Sequence, residues 1–194
     1  MHLGYSIEGA IGSFYKIDPT YLSPHVKMAE TLEGATKVFG VPLLISESLH
    51  KCLSRKMKDY CRQVDRVLFS GKQEPIRIFT IDVQPENVPL EDEQEYLASL
   101  YMSEREKKIK RVKERLNRNK IRENAFSGSV EVSQLFSNDN DIQLMIKPFS
   151  QEFREQYKKA FNLYSRGNWK EAKYEFEYTK DLCNEADPLS DFHL

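Results

Sequence analysis

Cysteine and histidine are the side chains of this sequence best suited to nucleophilic or metal chemistry, and they are few and scattered. The three cysteines include no CxxC pair, so their spacing predicts free thiols in a reducing compartment rather than a disulfide framework. Neither the cysteines nor the histidines have the spacing that a structural zinc site requires. No cofactor and no metal site are therefore expected from these residues.

Composition argues against a nucleic-acid-binding protein and against a membrane-spanning protein. The 194 residues carry 29 Lys and Arg against 30 Asp and Glu, a formal net charge of -1, which gives no global preference for nucleic acid. No apolar run approaches the roughly 20 residues that span a bilayer, and the N-terminus lacks the basic flank of a signal peptide. These features predict a cytoplasmic protein, with the cytosolic face of a membrane or a ciliary assembly as narrower alternatives.

Residues 1–83 have the apolar periodicity of a small sheet covered by helices. Apolar residues recur every three or four positions up to Phe39, which predicts a helix that ends at Gly40. VPLLIS predicts a buried strand whose Ser46 caps a second helix. RQVDRVLF and IRIFTIDV predict a hairpin. With a strand that ends at Gly12-Ser13 and a break at Asp18-Pro19, the order β-α-β-α-β-β predicts an α/β or α+β sandwich, a sheet covered by helices.

The rest of the chain divides by composition. Residues 84–95 are acidic and proline-spaced, which predicts a linker. Residues 96–123 predict a long, highly charged helix that is solvated or reaches a partner, with binding of nucleic acid or anionic lipid as the alternative. Residues 124–150, with SGS and SNDND, predict a loop, with disorder as the alternative. Residues 151–186 predict two aromatic-faced helices joined at a glycine. This run resembles a single tetratricopeptide-type hairpin, which must pack on the first region or await a partner.

Three blocks of the first region resemble a known family. GYSIEGAIGSFYKID, YLSPHVKMAETLEGATKVFGVPLLIS and VLFSGKQEPIRIFTIDV are similar, in order and separation, to the second half of a class III adenylyl/guanylyl cyclase domain. They most resemble the large cyclase-like proteins of ciliates and other protists, and the C-terminal hairpin resembles those proteins too. The resemblance implies a ferredoxin-like half-domain that pairs with another such domain, with cyclic nucleotide and pyrophosphate formed at their interface.

The family's chemistry needs particular groups. Two aspartates hold two Mg or Mn ions that activate the ribose 3′-hydroxyl and stabilise the leaving phosphate. An Asn and an Arg one helical turn apart orient the ribose and neutralise charge on the α-phosphate. A Lys in the hairpin turn binds the terminal phosphates, and a polar residue before the helix contacts the base.

Mapped onto this sequence, the resemblance implies a degenerate site. The Asn and Arg positions are Lys27 and Thr31, and the phosphate Lys position is Ser70. Lys cannot offer the paired donor and acceptor of an amide, and Thr lacks the guanidinium charge. Thr20 at the base-contacting position and Lys72 near the phosphate position remain as weak nucleotide contacts. Both metal aspartates would lie upstream of the strand with which this sequence begins.

The expected function is therefore a scaffold or regulatory interaction module, a pseudoenzyme without catalytic or metal-binding residues. The alternative is half of a split or truncated cyclase whose metal-binding half lies on another chain. A domain that starts in the middle of a sheet would expose an edge strand and part of its core. We therefore expect a protein partner at the cyclase pairing face and at the C-terminal hairpin, with no nucleic acid and no membrane span.

Overall fold

The computed structural model divides into two compact units. It describes residues 1–71, 73–89, 100–183 and 187–194. Lys72 lies outside these ranges, as do parts of the predicted linker, charged helix and C-terminal hairpin. One unit combines Met1–Val83 with Pro148–Leu194, and the other is Gln84–Lys147.

The secondary structure is mixed α+β, followed by helices, as the sequence predicts. The described strands are β1 (Ile7–Ser13), β2 (Lys16–Leu22), β3 (Ile45–Ser46), β4 (Cys61–Val67) and β5 (Ile76–Ile81). The described α-helices are α1 (Pro24–Phe39), α2 (Glu47–Cys52), α3 (Arg55–Lys58), α4 (Glu104–Phe126), α5 (Val132–Asn138), α6 (Asn140–Ile146), α7 (Gln151–Ser165), α8 (Trp169–Leu182) and α9 (Pro188–His193). A short 3₁₀ turn covers Pro85–Asn87.

Two antiparallel sheets form in the first unit. Among the described strands, β1 and β2 pair only with each other, while β3, β5 and β4 form a three-stranded sheet in that spatial order. The predicted β4–β5 hairpin is confirmed. The first strand, however, belongs to a separate ribbon and not to the main sheet.

Helix α1 ends at Gly40, as its sequence predicts. Ser23 caps the first turn, because its hydroxyl accepts a hydrogen bond from the backbone N–H of His25 at 3.0 Å. Gly40 ends the helix with φ at +66°, the left-handed conformation that glycine adopts without strain. Met28, Leu32 and Phe39 turn inward from this helix. The cap at the start of α2 is also confirmed, since Ser46 accepts from the N–H of Leu49 at 3.4 Å.

The predicted chain break at Asp18-Pro19 is wrong. Both residues lie within β2, where Pro19 pairs with Ala10 and Asp18 pairs with Ile11. A two-stranded ribbon leaves one side of each strand without a partner strand, so proline's missing N–H need not interrupt the ladder. The observed order is therefore β-β-α-β-α-α-β-β.

The stretch predicted as a loop, 124–150, contains the end of α4 and the short helices α5 and α6. The SNDND run that suggested a loop contains a helix cap: the Asp139 side chain accepts from the N–H groups of Asp141 and Ile142 at 3.0 and 3.1 Å. Asp and Asn favour turns and caps for the same reason, since their short side chains bond nearby backbone groups. Composition alone does not separate the two outcomes.

The C-terminal hairpin packs on the main sheet. Helices α7 and α8 place Tyr157, Phe161 and Phe176 in one core with Val64 and Ile78 of the sheet. Burying a large apolar side chain contributes about 1.5–3 kcal/mol, so these aromatic residues are a substantial part of the stability of the unit. The two segments of this unit therefore fold around a shared core.

Candidate functional site

The β1–β2 ribbon carries the predicted base-contacting residue. Thr20 is half-buried on β2 and lies opposite Gly9. The rest of the ribbon is exposed, including its large apolar side chains, and Phe14 and Tyr15 in its turn are fully exposed. These apolar side chains are Ile7, Ile11, Phe14, Tyr15, Ile17, Tyr21 and Leu22.

Lys27 and Thr31 lie one turn apart on α1. The ammonium group of Lys27 is exposed and pairs with the carboxylate of Glu30 at 2.9 Å. The Thr31 hydroxyl donates a hydrogen bond to the backbone carbonyl of Lys27 at 2.8 Å, a local bond common for Thr in helices. Each side chain is thus engaged within its own helix, and neither presents an amide or a guanidinium.

The phosphate-binding position lies in the turn between β4 and β5. Ser70 is exposed there, and Gly71 follows with φ at +77°. Lys72, the predicted partial substitute, lies outside the described residues. No hydrogen bond or ion pair joins the side chains of Thr20, Lys27, Thr31 and Ser70, all four of which the structure describes.

A histidine–serine cluster connects the N-terminal segment to α1 and α2. His2 Nε2 lies 2.9 Å from His25 Nδ1, and His2 Nδ1 lies 2.8 Å from Ser46 Oγ. Ser46 Oγ lies 2.9 Å from Ser48 Oγ. Gly4 is required here, because a Cβ atom at this position would overlap the His25 ring. These residues are far apart in sequence, and spacing along the chain gave no signal for them.

The most buried charges of the first unit form a cluster around Arg62. Its guanidinium donates from Nε and Nη2 to Asp82 Oδ1 at 3.1 and 2.7 Å. It donates from Nη1 and Nη2 to the two oxygens of Asp187 at 2.8 and 2.9 Å. Because all three side chains are almost fully buried, the cluster joins β4 and β5 to the N-terminus of α9 through charge-assisted bonds.

The two carboxylates of this cluster differ in their environment. Burial raises the pKa of Asp82 despite the charge of Arg62, and Asp82 Oδ2 has no hydrogen-bond partner among the described residues. Burial would also raise the pKa of Asp187, but hydrogen bonds from Arg62 and Ser190 outweigh it and lower that pKa. Asp187 accepts from the N–H and the hydroxyl of Ser190 at 3.1 and 2.8 Å, and so also caps α9.

Aromatic rings surround the guanidinium of Arg62. Its Cζ lies 4.3 Å from the ring centre of Tyr157, 5.1 Å from that of Phe153 and 5.9 Å from that of Phe149. A cation near an aromatic face is stabilised by the ring quadrupole, and more so away from water. A sequence signal existed for this cluster: Arg62 shares the inward face of β4 with Val64, where a charged residue needs a buried partner.

Neither metal coordination nor membrane spanning is supported by the described residues. Across residues 1–71, 73–89, 100–183 and 187–194, no three His, Cys, Asp or Glu side chains converge as ligands. No helix in those ranges is both long and apolar enough to cross a membrane.

Comparisons with known proteins point to one class. The chain is similar to an adenylate cyclase from Anabaena cylindrica, with 34% identity over 82 residues. The aligned part is 42% of this chain and 16% of that protein, so the chain spans about a sixth of the length of this relative. No family profile matches the chain, and no solved structure matches it. The chain therefore contains a cyclase-like region.

Proposed function

We propose that this chain is a non-catalytic relative of class III nucleotide cyclases that acts as a scaffold or regulatory interaction module in a larger assembly. The observation that carries this proposal is the pair of side chains on α1. Lys27 and Thr31 occupy the positions that the cyclase resemblance assigns to Asn and Arg, and both are engaged in bonds within the helix.

Their chemistry does not replace what cyclisation needs. An ammonium paired with Glu30 at 2.9 Å cannot act as the donor and acceptor of an amide, and a threonine hydroxyl carries no charge toward an α-phosphate. Removing one such transition-state donor typically slows an enzyme by about 10²–10³-fold. With Ser70 at the lysine position as well, we expect no cyclase activity from this chain by itself.

The β1–β2 ribbon is the surface that we assign to the protein partner. Ile7, Ile11 and Leu22 share one face of the ribbon and are exposed at 68%, 59% and 63%. Clustered exposed apolar side chains of this kind usually mark an interaction site. An isolated two-stranded hairpin is also only marginally stable in water. Contact with a second protein would cover these side chains and stabilise the ribbon.

An activity assay tests the non-catalytic half of this proposal. The purified chain is incubated with ATP or GTP and with Mg²⁺ or Mn²⁺, and cyclic nucleotide is measured beside an active cyclase and a protein-free blank. We expect no product above the blank. Cyclic nucleotide that rises in proportion to the concentration of this chain would overturn it.

A paired set of variants tests the interaction half. We expect Ile7→Glu with Ile11→Glu to lose the proteins that co-purify stoichiometrically with the tagged wild-type chain, because both changes place charge on the same apolar face of the ribbon. The matched control is Val38→Glu with Leu68→Glu, which changes two apolar residues of similar exposure elsewhere. Equal recovery with the ribbon variant would contradict the assignment of this surface.

The identity of the co-purifying chain distinguishes a non-catalytic scaffold from one half of a split cyclase. Mass spectrometry that finds a chain bearing the two metal aspartates, together with Asn, Arg and Lys at the family positions, would replace the scaffold proposal with a split cyclase. Partners without any cyclase region, in fixed stoichiometry, support the scaffold.

A further inference from the structure

Helix α4 concentrates positive charge in a chain whose net charge is close to zero. It carries ten Lys and Arg against four Glu, a formal charge of +6. From Lys107 to Arg122, Glu114 is the one acidic residue. This stretch is about 24 Å long at the rise of an α-helix.

Most of this charge is not neutralised within the part of the chain that the structure describes. Lys107 pairs with Glu104 at 3.3 Å near the start of the helix. Six of the cations that follow form no ion pair with a described carboxylate; they are Arg111, Lys113, Arg115, Arg118, Lys120 and Arg122. Like charges one turn apart destabilise an isolated helix, so an anionic surface would stabilise α4.

An apolar stripe follows one side of the same helix. Ile109, Val112 and Leu116 have the i, i+3, i+7 spacing of a single helical face, and they are exposed at 46%, 50% and 61%. At 100° per residue, Lys113 and Arg115 flank this stripe on opposite sides. The helix is thus amphipathic, with long cationic side chains along both borders of a narrow apolar face.

The observations favour an anionic lipid surface as the occupant of this face. Three aliphatic side chains cannot supply the roughly 800 Å² per partner of a stable protein interface. Nucleic acid would leave the apolar stripe in water, and a second copy of α4 would repel the first. An interfacial helix, by contrast, needs only shallow apolar burial, with its Lys and Arg side chains reaching the headgroups.

We propose that α4 binds the surface of membranes that contain anionic lipid, with the Ile109–Val112–Leu116 stripe facing the acyl boundary and the flanking cations contacting headgroups. This is peripheral binding and not insertion, and it is independent of the cyclase resemblance. Each Lys or Arg near such a surface contributes about fivefold to the partition coefficient, an effect that salt screens.

Vesicle co-sedimentation of the purified full chain tests the proposal. The probes are phosphatidylcholine vesicles with and without about 30% phosphatidylserine, each at about 0.1 M and about 0.5 M NaCl. We expect the chain to pellet with the anionic vesicles at low salt and to be released at high salt. Equal binding to both vesicle types, or binding to neither, would overturn the proposal.

Three variants separate charge, stripe and nonspecific effects. The charge variant changes four cations beside the stripe to glutamine, and we expect about a 100-fold or greater loss of anionic-vesicle binding; it is Lys108→Gln, Lys113→Gln, Arg115→Gln and Lys120→Gln. The stripe variant changes the three aliphatic residues to glutamine, keeps every charge, and should also weaken binding at least tenfold. The control removes four exposed cations of the other unit and should bind as wild type; it is Lys158→Gln, Arg166→Gln, Lys170→Gln and Lys173→Gln.

Circular dichroism of each variant checks that helix content is kept. Wild-type vesicle binding by the charge variant or by the stripe variant would contradict the proposed orientation of α4. An RNA or DNA oligonucleotide that displaces the chain from anionic vesicles, and whose own binding is unaffected in the stripe variant, would replace lipid with nucleic acid as the ligand.

Discussion

Replacing Asp187 by asparagine tests whether the buried Arg62 cluster stabilises the first unit. The carboxylate of Asp187 accepts two hydrogen bonds from Arg62 and two from Ser190. Asparagine has one acceptor oxygen, so at least one of these donors would face an amide N–H group instead. Removing one partner of a buried ion pair costs about 3–5 kcal/mol, and we expect a loss of about 3 kcal/mol or more for Asp187→Asn.

The matched substitution Asp82→Asn should cost much less. Arg62 donates to Asp82 at Oδ1, and an asparagine oxygen can accept the same two bonds. Burial already raises the pKa of Asp82, so the charged form is disfavoured there. Loss of the Asp82 charge leaves Arg62 paired one-to-one with Asp187, and we expect the free energy of unfolding to change by about 1 kcal/mol or less.

Urea unfolding at pH 7, followed by circular dichroism, measures both free energies. Asp191→Asn is the surface control: it lies on the same helix as Asp187, is exposed, and forms an ion pair with Lys180, so we expect less than about 1 kcal/mol. The reasoning fails if Asp82→Asn is as destabilising as Asp187→Asn. It fails equally if Asp187→Asn unfolds at the same urea concentration as the Asp191 control.

Two further predictions concern the packing of α9. Gly40→Ala should destabilise the chain by about 2 kcal/mol in the same urea assay, because φ is +66° there and the new Cβ would lie 2.6 Å from Pro188 Cβ. The control Gly71→Ala, with φ at +77° and open space around it, should cost only the backbone strain. Equal losses of stability in the two variants would contradict the packing argument. His193→Phe removes a hydrogen bond of 3.0 Å between Nε2 and the Val64 carbonyl, worth about 1 kcal/mol. Burial lowers the pKa of His193 below the usual 6.5. The stability that neutral His193 contributes is therefore fully present above pH 6.5. It decreases below pH 6.5, because the unfolded state then takes up a proton more readily than the folded state. The difference in melting temperature between wild type and His193→Phe should therefore shrink from pH 7.5 to pH 5.5, and a constant difference would show that His193 does not titrate as its burial implies.

The sequence predicted those elements whose ends are set by residues close together in the chain. Helix α1 ends at Gly40 because glycine accepts a left-handed conformation, and α2 begins at Ser46 because its hydroxyl can cap a backbone N–H. The hairpins β4–β5 and α7–α8 follow in the same way from apolar periodicity interrupted by turn residues. Each of these features depends on residues within one or two turns of one another.

The features that the sequence did not predict depend on tertiary context. Pro19 is compatible with a strand in a two-stranded ribbon and incompatible with the interior of a wider sheet, and the chain alone does not reveal which of these it joins. The His2–His25 contact and the Arg62–Asp187 pair join residues 23 and 125 positions apart. The positions assigned to nucleotide binding, such as Thr20, rest on the cyclase resemblance and stay predictions.

The Arg62 cluster also explains how a unit made from two separate stretches of chain can hold together. The residues from Gln84 to Lys147 fold as a unit of their own between these stretches, and bringing the ends of a connecting segment together costs only about 0.6 kcal/mol more for each doubling of its length. The buried bonds of Arg62 with Asp187, together with the core that Phe176 shares with Val64, contribute more than that increment. The C-terminal segment is therefore part of the fold of residues 1–83 rather than an appended module, and a truncation at residue 147 should expose the core of the sheet.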